Sequence, residues 1–290
     1  MEYLGHKASI FSMCASPKPR HFISCGSEGY VAEWNFDTGE GKAILRAPGS
    51  IFSICLIPER ELILLGLQNG EMVFVDTAQN KVIKRVQLHK RSIFEIILMP
   101  DAEHVIASAE DGALSLWDLT RLDHIHYQKI SHKSVRTMVL DAAQNRIFVG
   151  SSDNSIREFD LGLTLKREWN AHKLSVFRLL LQGDILFSTG RDAHISRWDL
   201  STHPTAVTAS VPAHNYAIND LVFNPDQSLL FSGSMDKSIK VWNPSDLKLL
   251  KVINFEKHLC HWNGVNRLLW LEDALLSCSD DRKIMRWNFE

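Results

Sequence analysis

The 290-residue chain has little net charge: 32 Lys and Arg stand against 34 Asp and Glu, a balance of −2. No basic tract or acidic tail disturbs it. A dedicated nucleic-acid binder carries a basic footprint, so no nucleic-acid partner is expected. Apolar runs are short, and none approaches the roughly 20 residues that span a bilayer. No membrane association is expected. Cysteine is sparse and odd in number: Cys14, Cys25, Cys55, Cys260 and Cys278. Scattered through apolar segments, these read as small buried thiols of a reducing compartment. The opening Met1-Glu2-Tyr3-Leu4-Gly5-His6 lacks the charged and apolar regions of a signal peptide. Cytoplasmic localisation is the resulting expectation. There is no phosphate loop and no nucleophile elbow. His258-Leu259-Cys260-His261 matches no strong zinc spacing. No metal and no cofactor are expected.

The chain does carry a repeat. Trp34, Val75, Trp117, Phe159, Trp198, Trp242 and Trp287 recur at a spacing close to 42 residues. Seven such units use the whole chain, which predicts one domain over residues 1–290. The sixth unit shows the local pattern. Ala217–Phe223 alternates, and Asn224-Pro225-Asp226-Gln227 is a turn. Leu229–Ser234 reads as a second strand, Ser238–Trp242 as a third and Leu249–Ile253 as a fourth. Strands bounded by Pro, Gly, Asn and Asp are a β signal. The turn before the third strand recurs as Glu28-Gly29, Asn69-Gly70, Asp111-Gly112 and Asp153-Asn154. Those residues tolerate the left-handed backbone of a tight hairpin.

A period near 42 with four strands per unit predicts an all-β, seven-bladed β-propeller of four-stranded antiparallel blades. The last unit ends at Trp287-Asn288-Phe289-Glu290 with no fourth strand of its own. Glu2-Tyr3-Leu4 stands where that strand belongs. Residues 1–5 are therefore expected to supply the outer strand of the C-terminal blade and so close the ring.

Gly5-His6, Trp117-Asp118 and Trp198-Asp199, with Trp34-Asn35, Trp242-Asn243 and Trp287-Asn288 as variants, give the chain its resemblance to the WD-repeat propellers. The resemblance covers essentially the full length. It implies a His–Ser/Thr–Asp–Trp tetrad that locks each blade. Complete sets are His172, Ser188, Asp192, Trp198; His214, Ser232, Asp236, Trp242; and His261, Ser277, Asp281, Trp287. The first unit has His6, Ser24 and Trp34 with Glu28 in place of Asp. The third has His89, Asp111 and Trp117 but Ala107 for the Ser. The fourth has His132 and Asp153 but Val149 and Phe159. The second, with Ala47, Leu65, Asn69 and Val75, has none, and apolar packing alone is expected to hold it. Six histidines and their neighbouring Ser and Asp are thereby assigned to structure. Asp280-Asp281 looks like a carboxylate pair, but Asp281 is a tetrad member. His124-Ile125-His126 reads as an exposed outer edge.

The resemblance also implies a top face around the channel mouth. Its candidates are Phe11, Phe52, Phe94, Arg136, Phe177, Asn219 and Asn266 in the first strands. The residues before the turn acids join them: Ser27, Gln68, Glu110, Ser152, Arg191, Met235 and Asp280. Two readings of the phenylalanines stand open: an exposed binding rim, or rings tucked into β-bulges against neighbouring blades. The functional expectation is a non-catalytic, monomeric platform for a protein or peptide partner. One alternative is a propeller hydrolase or lyase using Glu110, Asp280, Arg136 or Arg191. Another is a reader of cationic segments, with the phenylalanines and Glu110 as a partial aromatic cage.

Overall fold

The computed structural model describes residues 1–202, 205–258 and 260–289. Leu259 of the sequence His258–His261 and the terminal Glu290 lie outside them. Among the described residues the chain forms seven sheets of four antiparallel strands. Its longest helix is the four-residue Phe255–His258. The sixth sheet follows the sequence reading: Ile218–Phe223, Leu230–Ser234, Ile239–Trp242 and Leu249–Ile253.

The tight turn before each third strand needs a left-handed residue, and the chain places Gly there where it can. Gly112 has φ 87°, and a Cβ on it would lie 2.1 Å from the Ser131 carbonyl oxygen. Asn154, Ala193, Lys237 and Arg282 adopt the same backbone without that freedom.

The chain divides into two compact units, residues 1–135 with 271–290, and residues 136–270. In the first, apolar side chains of neighbouring sheets form two clusters. One joins Ile23, Val31 and Ile51 to Leu65 and Val75; the other joins Leu64, Met72 and Phe74 to Ile93 and Trp117. In the second unit, Phe148 and Ile156 pack with Val176 and Trp198, and Phe187 and Ile195 with Ile218 and Trp242. The core therefore lies between adjacent sheets, as stacked blades require.

Within the first unit Glu2–Leu4 pairs antiparallel with Lys283–Asn288, Tyr3 standing opposite Ile284. The chain ends thus meet in one sheet. Tyr3 is buried, packs edge-on against Phe22 at 5.0 Å and donates its hydroxyl to the Phe36 carbonyl at 2.7 Å. Leu4 faces solvent.

In blades five and six the tetrads form as the resemblance implies, and blades two, three and four depart from it. Trp198 and Trp242 donate to Ser188 and Ser232 at 2.8 Å. Those hydroxyls meet Nε2 of His172 at 2.8 Å and of His214 at 2.7 Å. The opposite ring nitrogens meet Asp192 and Asp236, each at 2.9 Å. An indole N–H only donates, so each serine accepts from Trp and donates to Nε2, leaving Nδ1–H for the carboxylate. Blade one repeats the geometry with Glu28, 2.5 Å from His6 Nδ1. In blade seven Trp287 donates to Ser277, and His261 and Asp281 are buried.

Blade three is not short of its hydroxyl. Ser115, the cross-strand partner of Ala107, accepts from Trp117 at 2.7 Å and meets His89 Nε2 at 2.8 Å. In blade four His132 is exposed and is no clamp residue. Arg157, opposite Val149, fills the place and bonds Asp153 and Glu168, each at 2.7 Å. Among the described residues His6, His89, His172 and His214 meet a clamp serine, and His132 does not. Blade two is apolar at this point, Leu65 facing Val73, but a paired Glu71–Arg85 interaction also ties its third and outer strands. Apolar packing therefore does not act alone there.

Candidate functional site

Among the described pairings the first strand skips one residue against the second in five blades. The skipped residues are Phe11, Phe52, Phe94, Phe177 and Asn219. A bulge leaves one residue unpaired and re-aims its side chain. Backbone hydrogen bonds tie the start of each of these strands to the following hairpin turn. Examples are Ser27 N to Ser9 O, Gln68 N to Ser50 O and Glu110 N to Ser92 O. The bulge residues and the residues before the turn acids thus share one end of each blade.

In the first unit the phenylalanines touch. Phe11 stacks on Phe52 with ring centres 4.8 Å apart, and Phe52 meets Phe94 edge-on at 5.8 Å. All three are half-buried. The rings therefore occupy bulges and pack on one another, and each keeps part of its surface in solvent. In the second unit Phe177 is also half-buried, and the Arg136 guanidinium lies over its ring at 4.8 Å.

Two of the charged candidates, Glu110 and Arg136, bond residues of their own blades. Glu110 accepts from Ser92 at 2.9 Å and from Arg91 at 3.2 Å. Arg136 donates to Ser152 at 2.9 Å. Asn219 donates to the Val265 carbonyl at 2.8 Å. Asn266 and Asp280 are half-buried, and Arg191 is exposed. A further charged group carried no sequence signal. Asp220 is buried and lies 2.8 Å from Arg178, with Leu268 N–H at 2.7 Å.

Sequence reasoning also missed two strongly exposed aromatics next to tetrad positions. Tyr216 is 67% exposed and Trp262 49%, well above the bulge phenylalanines. Both sit in loops just after a clamp histidine. Met235, 52% exposed, lies beside the Tyr216 loop: its N–H bonds Ala217 O, and Ser234 Oγ bonds Tyr216 O. The only advance signal was position, one or two residues past His214 and His261.

The clamp groups are poised for structure. Burial pushes the Asp236 carboxyl up, but the His214 imidazole, the Ser238 hydroxyl and the Asn215 N–H hold it far below the usual carboxylate range. Asp111 and Asp192 follow the same balance with His89 and His172. Burial holds His214 below the usual imidazole range against the pull of Asp236. The Cys55 thiol is pushed up to about 11 by burial, which keeps it protonated and unreactive. Among the described residues no three His, Cys, Asp or Glu side chains converge to hold a metal, and no helix is long and apolar enough to cross a membrane.

Residues 1–35 and 205–243 match the WD40 family, described as WD domain, G-beta repeat. A stretch covering 38% of the chain is 30% identical to kinesin-like protein KIF21B of Mus musculus, of which it covers 6%. Another, also 38%, is 30% identical to eukaryotic translation initiation factor 3 subunit I of Botryotinia fuckeliana and covers 31% of it. The chain thus spans under a third of the curated relatives' length. The crystal structure of the WD40 beta propeller domain of Doa1 covers 100% of this chain with 96% of its own, at TM-score 0.87 and 16% identity. That likeness is one of fold. With its repeat, its four-stranded blades and its clamped tryptophans, the chain thus carries WD40 repeats, matched over residues 1–35 and 205–243, on a seven-bladed β-propeller fold.

Proposed function

We propose that the protein is a non-catalytic, cytoplasmic platform that binds a protein or peptide through the blade ends carrying the bulge residues. The observation that carries this reading is the continuous contact of Phe11, Phe52 and Phe94, repeated at one structural position with part of each ring in solvent. Aromatic anchors of this kind dominate protein interfaces. Tyr216, Met235 and Trp262 add exposed apolar surface in the second unit. The relative named as a subunit of initiation factor 3 is consistent with a partner-binding role.

An enzyme reading has less support. Glu110 is committed to Ser92 and Arg91, and Arg136 to Ser152 and the Phe177 ring. The cationic-segment reading needs a carboxylate beside the rings, and Arg91 already neutralises Glu110. The test is quantitative affinity capture with Phe52→Ala and Phe94→Ala, melting temperatures being measured in parallel. Loss of one anchor should weaken binding about 30-fold. Variants that stay folded and keep every partner would remove the assignment.

A further inference from the structure

Beyond that face, the outer edge of blade one differs from its counterparts. At the point where the third strand passes the clamp, each blade sets one residue against a partner on the outer strand. Blade two sets Val73 against Arg85, blade three Ser115 against Tyr127, and blade four Arg157 against Glu168. Blade one sets Ala32 against Ala43. Where Trp117 is covered by His124, Trp34 has only Gly41 opposite. A Cβ on Gly41 would lie 2.3 Å from the Trp34 ring, so no larger residue fits beside that indole. The result is an open cavity of about 330 Å³ bounded by Ala32, Ala43, Trp34, His6, Glu28 and Tyr30. That volume is at the lower end for ligand pockets.

Blade three shows what the place accepts. Tyr127 projects from the outer strand, its ring 5.5 Å from that of His89. Asp111, the carboxylate that holds His89 Nδ1, adds to burial in pushing the Tyr127 hydroxyl up, so ring and hydroxyl lie in reach of the clamp. Blade one has the matching imidazole and carboxylate but no ring from the outer strand; Tyr30 bounds the cavity from the third strand. Glu28 accepts from His6 Nδ1 and from the Lys7 N–H. A carboxylate offers about four acceptor sites, so capacity for another donor remains. Lys7 also lines the cavity and disfavours a cationic occupant.

We propose that the blade-one cavity receives a tyrosine side chain of a partner polypeptide, its ring against Ala32, Ala43 and His6 and its hydroxyl donating to Glu28. The equivalent cavity of blade five, about 300 Å³, has the hydrogen-bonded Ser196–Ser210 pair as its wall. That polar wall does not match an aromatic ring.

The test is a titration of the full chain with N-acetyl-L-tyrosinamide, read at the Trp34 indole N–H resonance. A single side chain binds weakly, so concentrations up to about 10 mM are needed. The expected result is a saturable shift, with N-acetyl-L-phenylalaninamide at least about tenfold weaker for want of the hydroxyl. Ala43→Tyr, which gives blade one its own ring, should abolish the shift without lowering the melting temperature. Should that variant unfold, Ala43→Leu closes the cavity without reaching Glu28 and should have the same effect. No saturable shift, equal binding of the phenylalanine analogue, or undiminished binding to a folded cavity-filling variant overturns the proposal. Binding of p-cresol but not of N-acetyl-L-tyrosinamide assigns the cavity to a free phenol and equally overturns it.

Discussion

Ser115 stands directly across the strand pair from Ala107 and supplies the hydroxyl that Ala107 cannot. It accepts from Trp117 and meets His89 Nε2, so the clamp of blade three closes from the third strand where others close from the second. Ser115→Ala should leave two buried polar groups short of a partner and cost about 1–3 kcal/mol. Adding Ala107→Ser should restore part of the loss, because its Cβ starts from the position that serves the other blades. Urea unfolding of both variants measures this. A double variant no more stable than Ser115→Ala would show that the two positions are not interchangeable.

Removal of residues 1–5 should lower the melting temperature and raise aggregation. It uncovers the edge of Lys283–Asn288 and takes away buried Tyr3. Tyr3→Ala alone should cost about 3–5 kcal/mol, the usual penalty for a buried aromatic. Leu4→Ala should be near neutral, since Leu4 is 63% exposed. An unaltered melting temperature after truncation would place ring closure elsewhere.

Trp242→Ala should cost about 3–5 kcal/mol through lost packing. It also strips Ser232 of its indole donor and so loosens the hold on His214. Val75→Ala should cost less, because Val75 is smaller and packs in an apolar cluster with no clamp to break. Equal losses in chemical denaturation at the two sites would mean that the clamp contributes nothing measurable.

Stability should fall in two stages on acidification. His214 titrates below its ordinary 6.5 in the folded chain, so the unfolded chain binds more protons as pH drops past that value. The stability linked to its neutral form is present above pH 6.5 and is lost on descent through the lower folded value. Asp111, Asp192 and Asp236 are depressed from 3.8, so their share is present above that pH and is lost further into acid. His214→Gln should flatten the first stage and leave a second. Denaturant melts across the acid range read both, and parallel curves for wild type and variant would contradict the role given to His214.

The spacing of Trp34 through Trp287, the turns at Gly29, Gly70 and Gly112, and the place of Tyr3 were all legible from the amino-acid order. Each is a local requirement: a hairpin needs a left-handed residue, and a blade needs one large apolar residue, aromatic in all but blade two, at a fixed distance from its turn. The clamps of blades five and six were legible for the same reason, since the spacing of their members within a unit is set by strand length. Partnership across strands was not legible. Ser115 takes over from Ala107, Arg157 takes the place of a histidine clamp, and Ala32 meets Ala43 instead of a tyrosine. Each depends on the register of two strands, and single-residue bulges shift that register without a mark in the sequence. The rim divides in the same way. Recurrence picked out Phe11, Phe52 and Phe94, but their mutual stacking and the greater exposure of Tyr216 and Trp262 come from what neighbouring strands and loops cover. Burial is a property of the assembled blades, because a side chain is hidden only by residues that folding brings to it.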